Sequence, residues 1–273
     1  MNLCVLISTL DNRIFRLEKS LLPAREDISY VISHQVSSNI FDSKFDFLNR
    51  QDIILNRIYG TGVTKSRNNA INLAQGDIGL FSDDDVFYKD EYLDVVIRTF
   101  HENPDLDVGI FKIKTLPGEP EYKNFPTEVI KYDKKAPSVG TVQIAIKLKS
   151  IKDNKIWFDE RFGAGNKFLI GSDEMIFVQD CLNAGLTVKY YPEYVVIHPY
   201  ESTIKSIPLY DNRRIRVAGG IDARINGPIA IPKSFIGTIK FLPDLIKHKK
   251  NPIIYFWERF RAAVYITFTK TTK

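Results

Sequence analysis

The chain has 273 residues, 44% of them hydrophobic and 26% charged, with a formal net charge of +5. That is globular composition, with length for one large core or a core plus an appendage. Its two cysteines, Cys4 and Cys181, form no CxxC pair, which argues against a disulfide scaffold and against a zinc site.

Asn2 to Thr9 is a short apolar run with β-branched residues and reads as a buried strand. Its apolar part, Leu3 to Ile7, has no basic lead and is too short for a signal peptide, and no later run reaches the roughly 18 to 20 apolar residues of a membrane span. The expectation is a cytoplasmic protein, or one that touches a membrane from outside. Leu10 to Arg13 carries turn chemistry; Ile14, Leu17, Leu21 and Leu22 then recur at helical spacing until Pro23. Ile28 to Ser33 reads as a second strand, residues 36 to 50 as a loop, and Asp52 to Asn56 as a third strand. The clearest helix starts with Thr64 as N-cap, buries Ala70, Ile71, Leu73 and Ala74, and ends at Gly76. Ile78 to Phe81 is a strand that stops in Ser82-Asp83-Asp84-Asp85. Tyr92 to Phe100 is helical and Val108 to Ile113 is a strand. Residues 115 to 138 hold several prolines and no firm period, which predicts an active-site loop or hairpin. Val142 to Leu148 alternates like a strand, Met175 to Ala184 is a helix closed by Gly185, and Thr187 to Tyr191 and Val195 to His198 read as two further strands.

Strands alternating with helices through residue 100 point to an α/β parallel sheet, an architecture that binds nucleotides. The pattern weakens after about residue 205, which sets a main domain at 1–205 and a C-terminal extension at 206–273. The basic excess belongs to that tail first, through Lys247, His248, Lys249, Lys250, Lys270 and Lys273. Its clusters Ile253 to Trp257 and Phe260 to Phe268 interleave with Arg259, Arg261 and Lys270. Such a helix either lies on an anionic membrane surface or packs on the main domain.

The chemistry concentrates at the acidic turn. Residues two apart in extended backbone point the same way, so Asp83 and Asp85 are expected to converge on one point. Two carboxylates there suit a hard divalent cation with open positions for phosphate oxygens, and the C-terminal end of a strand is where open α/β sheets bind ligands. Such a cation neutralises a diphosphate leaving group. A solvated acidic loop has the same composition, but three unneutralised carboxylates at a sheet edge repel one another. His198 follows a strand, and an imidazole beside carboxylates favours Mn2+ over Mg2+; a lone histidine is also a common structural residue. Lys65, Arg67 and Asn68 at a helix start form an anion site, against the alternative of an ordinary basic first turn that opposes the helix dipole. Asp173 and Glu174 open another helix, where one carboxylate can take a proton from an acceptor hydroxyl, or both can simply cap the helix.

Gly62-Val63-Thr64-Lys65-Ser66-Arg67-Asn68-Asn69, then Gly76-Asp77-Ile78, then Phe81-Ser82-Asp83-Asp84-Asp85 follow one another in an order that resembles the family-2 glycosyltransferases of the GT-A fold. Phe158-Asp159-Glu160-Arg161-Phe162-Gly163, Asp173-Glu174, Cys181-Leu182, Gly185, Tyr191-Pro192 and His198-Pro199, through Glu201-Ser202-Thr203, are similar to transferases of bacterial capsule or lipopolysaccharide assembly. The resemblance covers roughly residues 1 to 205. It implies a mostly parallel central sheet flanked by helices, with the C-terminal helical extension added. It also implies a metal-dependent, inverting transfer from a nucleotide-diphosphate sugar, in the family's habit a UDP-sugar, to an acceptor hydroxyl. In that pattern Thr9 lines the nucleobase pocket, Arg67 lies near the nucleotide, Asp83 and Asp84 lie by the ribose and diphosphate, Asp85 ligates the metal and His198 lies near it. Glu174 falls in register with the usual base and Asp173 beside it, although the order here is Asp-Glu where the family has Glu-Asp. After the second strand the family often has acidic residues; here stand Ser33-His34-Gln35, of which Gln35 offers an amide to a uracil edge. The implied partners are a nucleotide-sugar donor and a glycan or lipid-linked saccharide acceptor; the basic, aromatic tail leaves open a peripheral contact with an anionic membrane at the inner face of the plasma membrane. Nucleic acid is not among them, since the basic residues gather on no recognition element. A sugar nucleotidylyltransferase would want a glycine- and lysine-rich loop where this chain has Ser8 to Arg13, and a non-catalytic sugar-nucleotide-binding scaffold would have no use for the acidic turn and the Asp173-Glu174 pair together.

Overall fold

Apolar runs flanked by turn residues assemble into eight strands and seven α-helices in the computed structural model, which describes residues 1–37, 45–200 and 207–270. The strands are β1 (Leu3–Leu10), β2 (Ile28–Val36), β3 (Ile53–Tyr59), β4 (Ile78–Asp83), β5 (Val108–Lys114), β6 (Ile130–Tyr132), β7 (Ile144–Lys147) and β8 (Val188–Ile197). The helices are α1 (Val63–Leu73), α2 (Asp90–Glu102), α3 (Leu148–Asp153), α4 (Asp173–Asn183), α5 (Asn212–Asn226), α6 (Ala230–Lys247) and α7 (Pro252–Phe268). By contact the chain divides into a sheet unit, residues 1–158 and 177–200, and a helical unit, residues 159–176 and 201–273.

In the sheet unit the strand order is β3-β2-β1-β4-β7-β5-β8-β6. Pairs β1–β2, β1–β4, β2–β3 and β5–β8 are parallel, and β4–β7, β5–β7 and β6–β8 antiparallel, so parallel pairing prevails as expected for a GT-A sheet. β1 is central and almost wholly buried, which is why it reads as an unbroken apolar run rather than an alternating one. Parallel register aligns Thr9 with His34 and Ser8 with Asp83, and so collects the C-terminal ends of β1, β2 and β4 at one sheet edge.

Several local expectations change. The first helix is a 3-10 segment, Asp11–Lys19, whose three-residue repeat turns Ile14 and Leu17 into the core together. Gly62 (φ 133°), not Thr64, occupies the N-cap of α1; Thr64 is buried inside the helix. Ala74 closes α1, and Gly76 instead forms the following turn at φ 116°, where a Cβ would lie 3.1 Å from the Asn2 carbonyl. The two strands expected at residues 187–191 and 195–198 are one strand, β8, because a register irregularity opposite Ile110–Ile113 absorbs Pro192. Residues 115–138 contain the short edge strand β6, which pairs with β8. Residues 38–44, within the expected loop, and Glu201-Ser202-Thr203 lie outside the described residues, as does Lys273.

The helical unit has its own core of Phe162, Leu169, Ile176, Ala223, Ala230, Ala262, Ala263 and Ile266. Asp159 is its polar centre: Arg161 grips it with a two-nitrogen fork (2.9 and 2.6 Å) and Arg224 adds a third bond of 2.9 Å. Arg161 also donates to the carbonyls of Ile266 and Thr269, so it ties down the end of α7. Gly219 lets α5 approach α7 closely, since a Cβ there would stand 2.5 Å from the Arg259 carbonyl oxygen.

Candidate active site

The acidic turn follows β4, whose last residue is Asp83; Asp84 and Asp85 sit in the turn itself. The alternation that aligns residues two apart therefore stops before Asp85, and the three carboxylates take three different directions. Asp83 accepts a 3.3 Å bond from Arg67, whose guanidinium lies over the Phe158 ring (5.5 Å) in a stack that continues to Phe177 and edges onto Phe81. Asp84 points inward and is fully buried. Arg13 reaches it through Nε at 2.9 Å and Nη2 at 2.6 Å, and Arg16 through Nη1 at 3.5 Å. Asp85 is the outward carboxylate, with Arg13 at 3.8 Å, Arg16 at 4.0 Å and His198 Nε2 at 3.8 Å from its oxygens.

A long-range contact builds that last pair. Phe87 and Ile197 exchange two backbone hydrogen bonds of 2.9 Å, which pin the segment after the acidic turn to the end of β8. His198, the next residue, donates its backbone N–H to the Lys114 carbonyl at 2.9 Å. Its Nδ1 lies 2.6 Å from the Pro199 carbonyl. An Nδ1–H donating there leaves the Nε2 lone pair facing Asp85, the arrangement usual for a metal-binding imidazole. Asp85 Oδ1 is buried and has no hydrogen-bond partner among the described residues. Asp83 does not join this pair, being held by Arg67, and no group of three or more His, Cys, Asp or Glu side chains converges for a metal among the described residues. The expected trio of Asp83, Asp85 and His198 is thus reduced to Asp85 with His198.

The neighbouring strand ends supply unsatisfied polar atoms. Thr9 and Gln35 are buried, and Thr9 Oγ1 and Gln35 Oε1 have no hydrogen-bond partners among the described residues. The Thr9 hydroxyl stands near enough to favour the charged form of Asp84 without closing a bond of good geometry. Burial nonetheless pushes the Asp84 carboxyl above its ordinary value, and Arg13 only partly opposes this. His34 is fully buried, its imidazole held below its usual pKa by burial, with Nε2 3.0 Å from the Asp11 carbonyl. Asp11 adopts φ 48°, a conformation aspartate tolerates, and accepts the Ser37 N–H (2.8 Å) and hydroxyl (2.7 Å), which fastens the end of β1 to the end of β2.

Not every expected residue faces this edge. Asn68 uses its side-chain amide at both ends, donating to the Phe158 carbonyl (3.0 Å) and accepting the Phe158 N–H (2.8 Å), so its role in α1 is to hold that segment. Lys65 is exposed in the first turn of α1. Asp173, buried, and Glu174, half-buried, open α4 on the helical-unit side of the chain division. Arg13 and Arg16 were not foreseen; their i, i+3 spacing is the signal, because a 3-10 segment puts both on one face.

The family described as Glycosyl transferase family 2 matches residues 40–162. No curated protein matches the chain. Among solved structures, S. aureus TarS 1-349 in complex with UDP-GlcNAc is 16% identical with a TM-score of 0.57, over 82% of this chain and 66% of that one. The same protein in complex with UDP gives 16% and 0.53, over 80% and 64%. A third structure of S. aureus TarS 1-349 gives 13% and 0.53, over 97% and 91%. The chain thus spans just under two thirds of the first two structures, at 66% and 64% of their length. The chain has the GT-A glycosyltransferase fold, and through residues 40–162 it is similar to the family-2 glycosyltransferases.

Proposed function

We propose that the chain is a metal-dependent, inverting glycosyltransferase that moves a sugar from a UDP-sugar to an acceptor hydroxyl in surface polysaccharide assembly. The observation that carries this is the pairing of Asp85 Oδ1 with His198 Nε2 at 3.8 Å, beside the unsatisfied Thr9 and Gln35 atoms at the same sheet edge. Asp85 and His198 would hold a Mn2+- or Mg2+-type ion there. When bound, that ion supplies charge neutralisation of the departing diphosphate. Gln35 and Thr9 hydrogen-bond the nucleobase, and Lys65, Arg67 and Asp83 line the ribose and diphosphate. Glu174, with Asp173 as its neighbour, takes the proton from the acceptor hydroxyl. The freed oxygen forms its bond to the anomeric carbon as the bond to the diphosphate breaks on the opposite side. One displacement inverts the configuration and releases UDP. The donor class agrees with the UDP and UDP-GlcNAc held by the TarS structures. The acceptor class is a glycan or lipid-linked saccharide at the inner face of the plasma membrane, with peripheral contact to anionic lipid.

Thermal-shift titration with UDP, UDP-sugars and other nucleotides, with and without Mn2+, tests the reading. A Mn2+-dependent shift with UDP compounds that disappears in Asp85→Asn and in His198→Ala is expected. No shift with any nucleotide, from folded protein, would sink it. Transfer assays on Glu174→Gln and Asp173→Asn locate the base: one should lose transfer while still binding donor, and full rates in both would remove the base from this pair.

A further inference from the structure

The charge of the chain is divided sharply. Residues 206–273 hold 13 of the 38 Lys and Arg but only 4 of the 33 Asp and Glu, a net +9, which leaves −4 for residues 1–205. On α7, Tyr255, Ala262, Ala263 and Ile266 are buried in the helical unit, Phe256, Phe260 and Tyr265 are half-buried, and Trp257 and Phe268 are exposed. A longer uncovered surface lies on α6. Phe235, Ile236, Ile239, Leu242 and Ile246 are 59, 64, 57, 38 and 65% exposed. At 100° per residue, Phe235, Ile239, Leu242 and Ile246 form one stripe, about 100° round the helix from the buried residues Ala230, Ser234, Thr238 and Leu245. Lys233, Lys240 and Lys247 recur every seven residues and form a row about 130° round from that stripe, with exposed Ile236 between the two. Asp244, the lone acid of α6, lies beyond the lysine row and is engaged by the Tyr210 hydroxyl and by His248. The turn after α6 adds exposed Lys249 and Lys250, and the first turns of α7 add Ile253 (76% exposed) and Trp257 (54%).

We propose that this α6 face and the start of α7 dock in the plane of an anionic lipid surface. The stripe would enter the acyl boundary, and the lysine row would meet the headgroup charge. Charge complementarity selects this occupant: an apolar stripe flanked by cations and without a free acid matches a lipid interface, whose headgroups are anionic and whose interior is apolar. No helix of the described residues is long and apolar enough to cross a membrane, so the contact is peripheral. The proposal rests on the lipid contact named in the proposed function and locates it on α6; it does not depend on glycosyl transfer, so a chain without transferase activity would still test it.

The experiment is co-sedimentation of the full chain with vesicles of phosphatidylcholine alone and of phosphatidylcholine with phosphatidylglycerol. The wild type should partition onto the phosphatidylglycerol vesicles at least tenfold better than onto neutral ones, and less so as salt rises. Phe235→Glu with Ile239→Glu, and separately Lys240→Gln with Lys247→Gln, should each lose roughly tenfold. These residues are exposed, so circular dichroism and thermal midpoint should not change. Absence of anionic-vesicle binding in the wild type, or full binding in both variants, would overturn the proposal. So would a wild-type dimer in sedimentation velocity that both variants abolish in the absence of lipid, since the face would then belong to a second copy.

Discussion

Replacing Arg13 by alanine removes the main countercharge of a buried carboxylate. The Asp84 side chain is 1% exposed, with Arg13 bonds at 2.9 and 2.6 Å and only a 3.5 Å contact from Arg16. Taking one partner from a buried ion pair costs about 3–5 kcal/mol. Two features reduce that figure here: Arg13 is 47% exposed, so solvent already screens its attraction, and Arg16 remains. A loss of about 2 kcal/mol at neutral pH is expected. The pH dependence follows from the same geometry. Burial holds the native Asp84 carboxyl above its ordinary value, so the native state keeps a proton where the unfolded chain has lost it, and this group's effect is to lower stability as pH rises through that window. Losing Arg13 raises the native value further. The deficit of the variant is therefore largest near neutrality and shrinks as pH falls toward the ordinary carboxylate range. The chain has two tryptophans, Trp157 in the sheet unit and Trp257 in the helical unit, so Trp257→Phe leaves a single reporter for the unit in question. Urea unfolding followed by Trp157 fluorescence at about pH 7 and about pH 5 gives both numbers. A loss below about 0.5 kcal/mol at neutral pH, or one that grows on acidification, would refute the reasoning.

Two glycines make opposite forecasts. Gly219→Ala gains about 1 kcal/mol of helix propensity but places a methyl 2.5 Å from the Arg259 carbonyl oxygen, which is backbone and cannot swing away, so a net loss of about 1–2 kcal/mol is expected. Gly237→Ala meets only the end of the Arg259 side chain, at 3.7 Å or beyond, and should gain up to about 1 kcal/mol; a raised midpoint for Gly219→Ala or a lowered one for Gly237→Ala would contradict the respective forecast. Asn68→Ala strands the Phe158 N–H and carbonyl and should cost about 2 kcal/mol by urea unfolding, with an unaltered midpoint counting against the clamp. Burial raises the Asp159 carboxyl, but Arg161 and Arg224 outweigh it and hold the group below its ordinary value. Its stabilisation is present above the unfolded-state pKa and disappears as pH falls through the lowered native one. Asp159→Asn should therefore cost about 2 kcal/mol at neutral pH and approach the wild type in acid, and limited proteolysis near residue 269 should be faster. Parallel pH profiles for the two proteins would contradict that assignment.

What the sequence revealed divides along the range of the interactions concerned. β1, β2, β4 and β5 were legible because each buried strand is an unbroken apolar run bounded by turn residues. The order of motifs around Arg67 and Asp83-Asp84-Asp85 was legible because a helix, a strand and a turn are local features. The caps of α1 were misplaced, since Gly62 caps through backbone conformation and leaves no side-chain signature. Pro192 is a local breaker and splits β8 into two strands in the sequence pattern; its pairing with β5 shows that an irregular register accommodates the proline. Strand alternation predicted that Asp83 and Asp85 face one way, yet β4 ends at Asp83, so the rule does not extend across the turn. The assignment of Asp84 to Arg13 and Arg16, and of Asn68 to Phe158, depends on contacts 68 to 90 residues apart. The i, i+3 spacing of Arg13 and Arg16 marks a shared face, but no pattern along the chain names the partners of these side chains.

The paired hydrogen bonds between Phe87 and Ile197 also set an order of events. On a ribosome the acidic turn is synthesised more than a hundred residues before the histidine that faces it. Until β8 emerges and finds β5, the strand ends of β1, β2 and β4 can form without the histidine side of the site. A fragment ending at residue 162, where the family-2 similarity stops, would carry all three aspartates and lack His198. If the proposed nucleotide site is right, nascent chains stalled at that length should retain no nucleotide, and ligand would be acquired only once the sheet is complete.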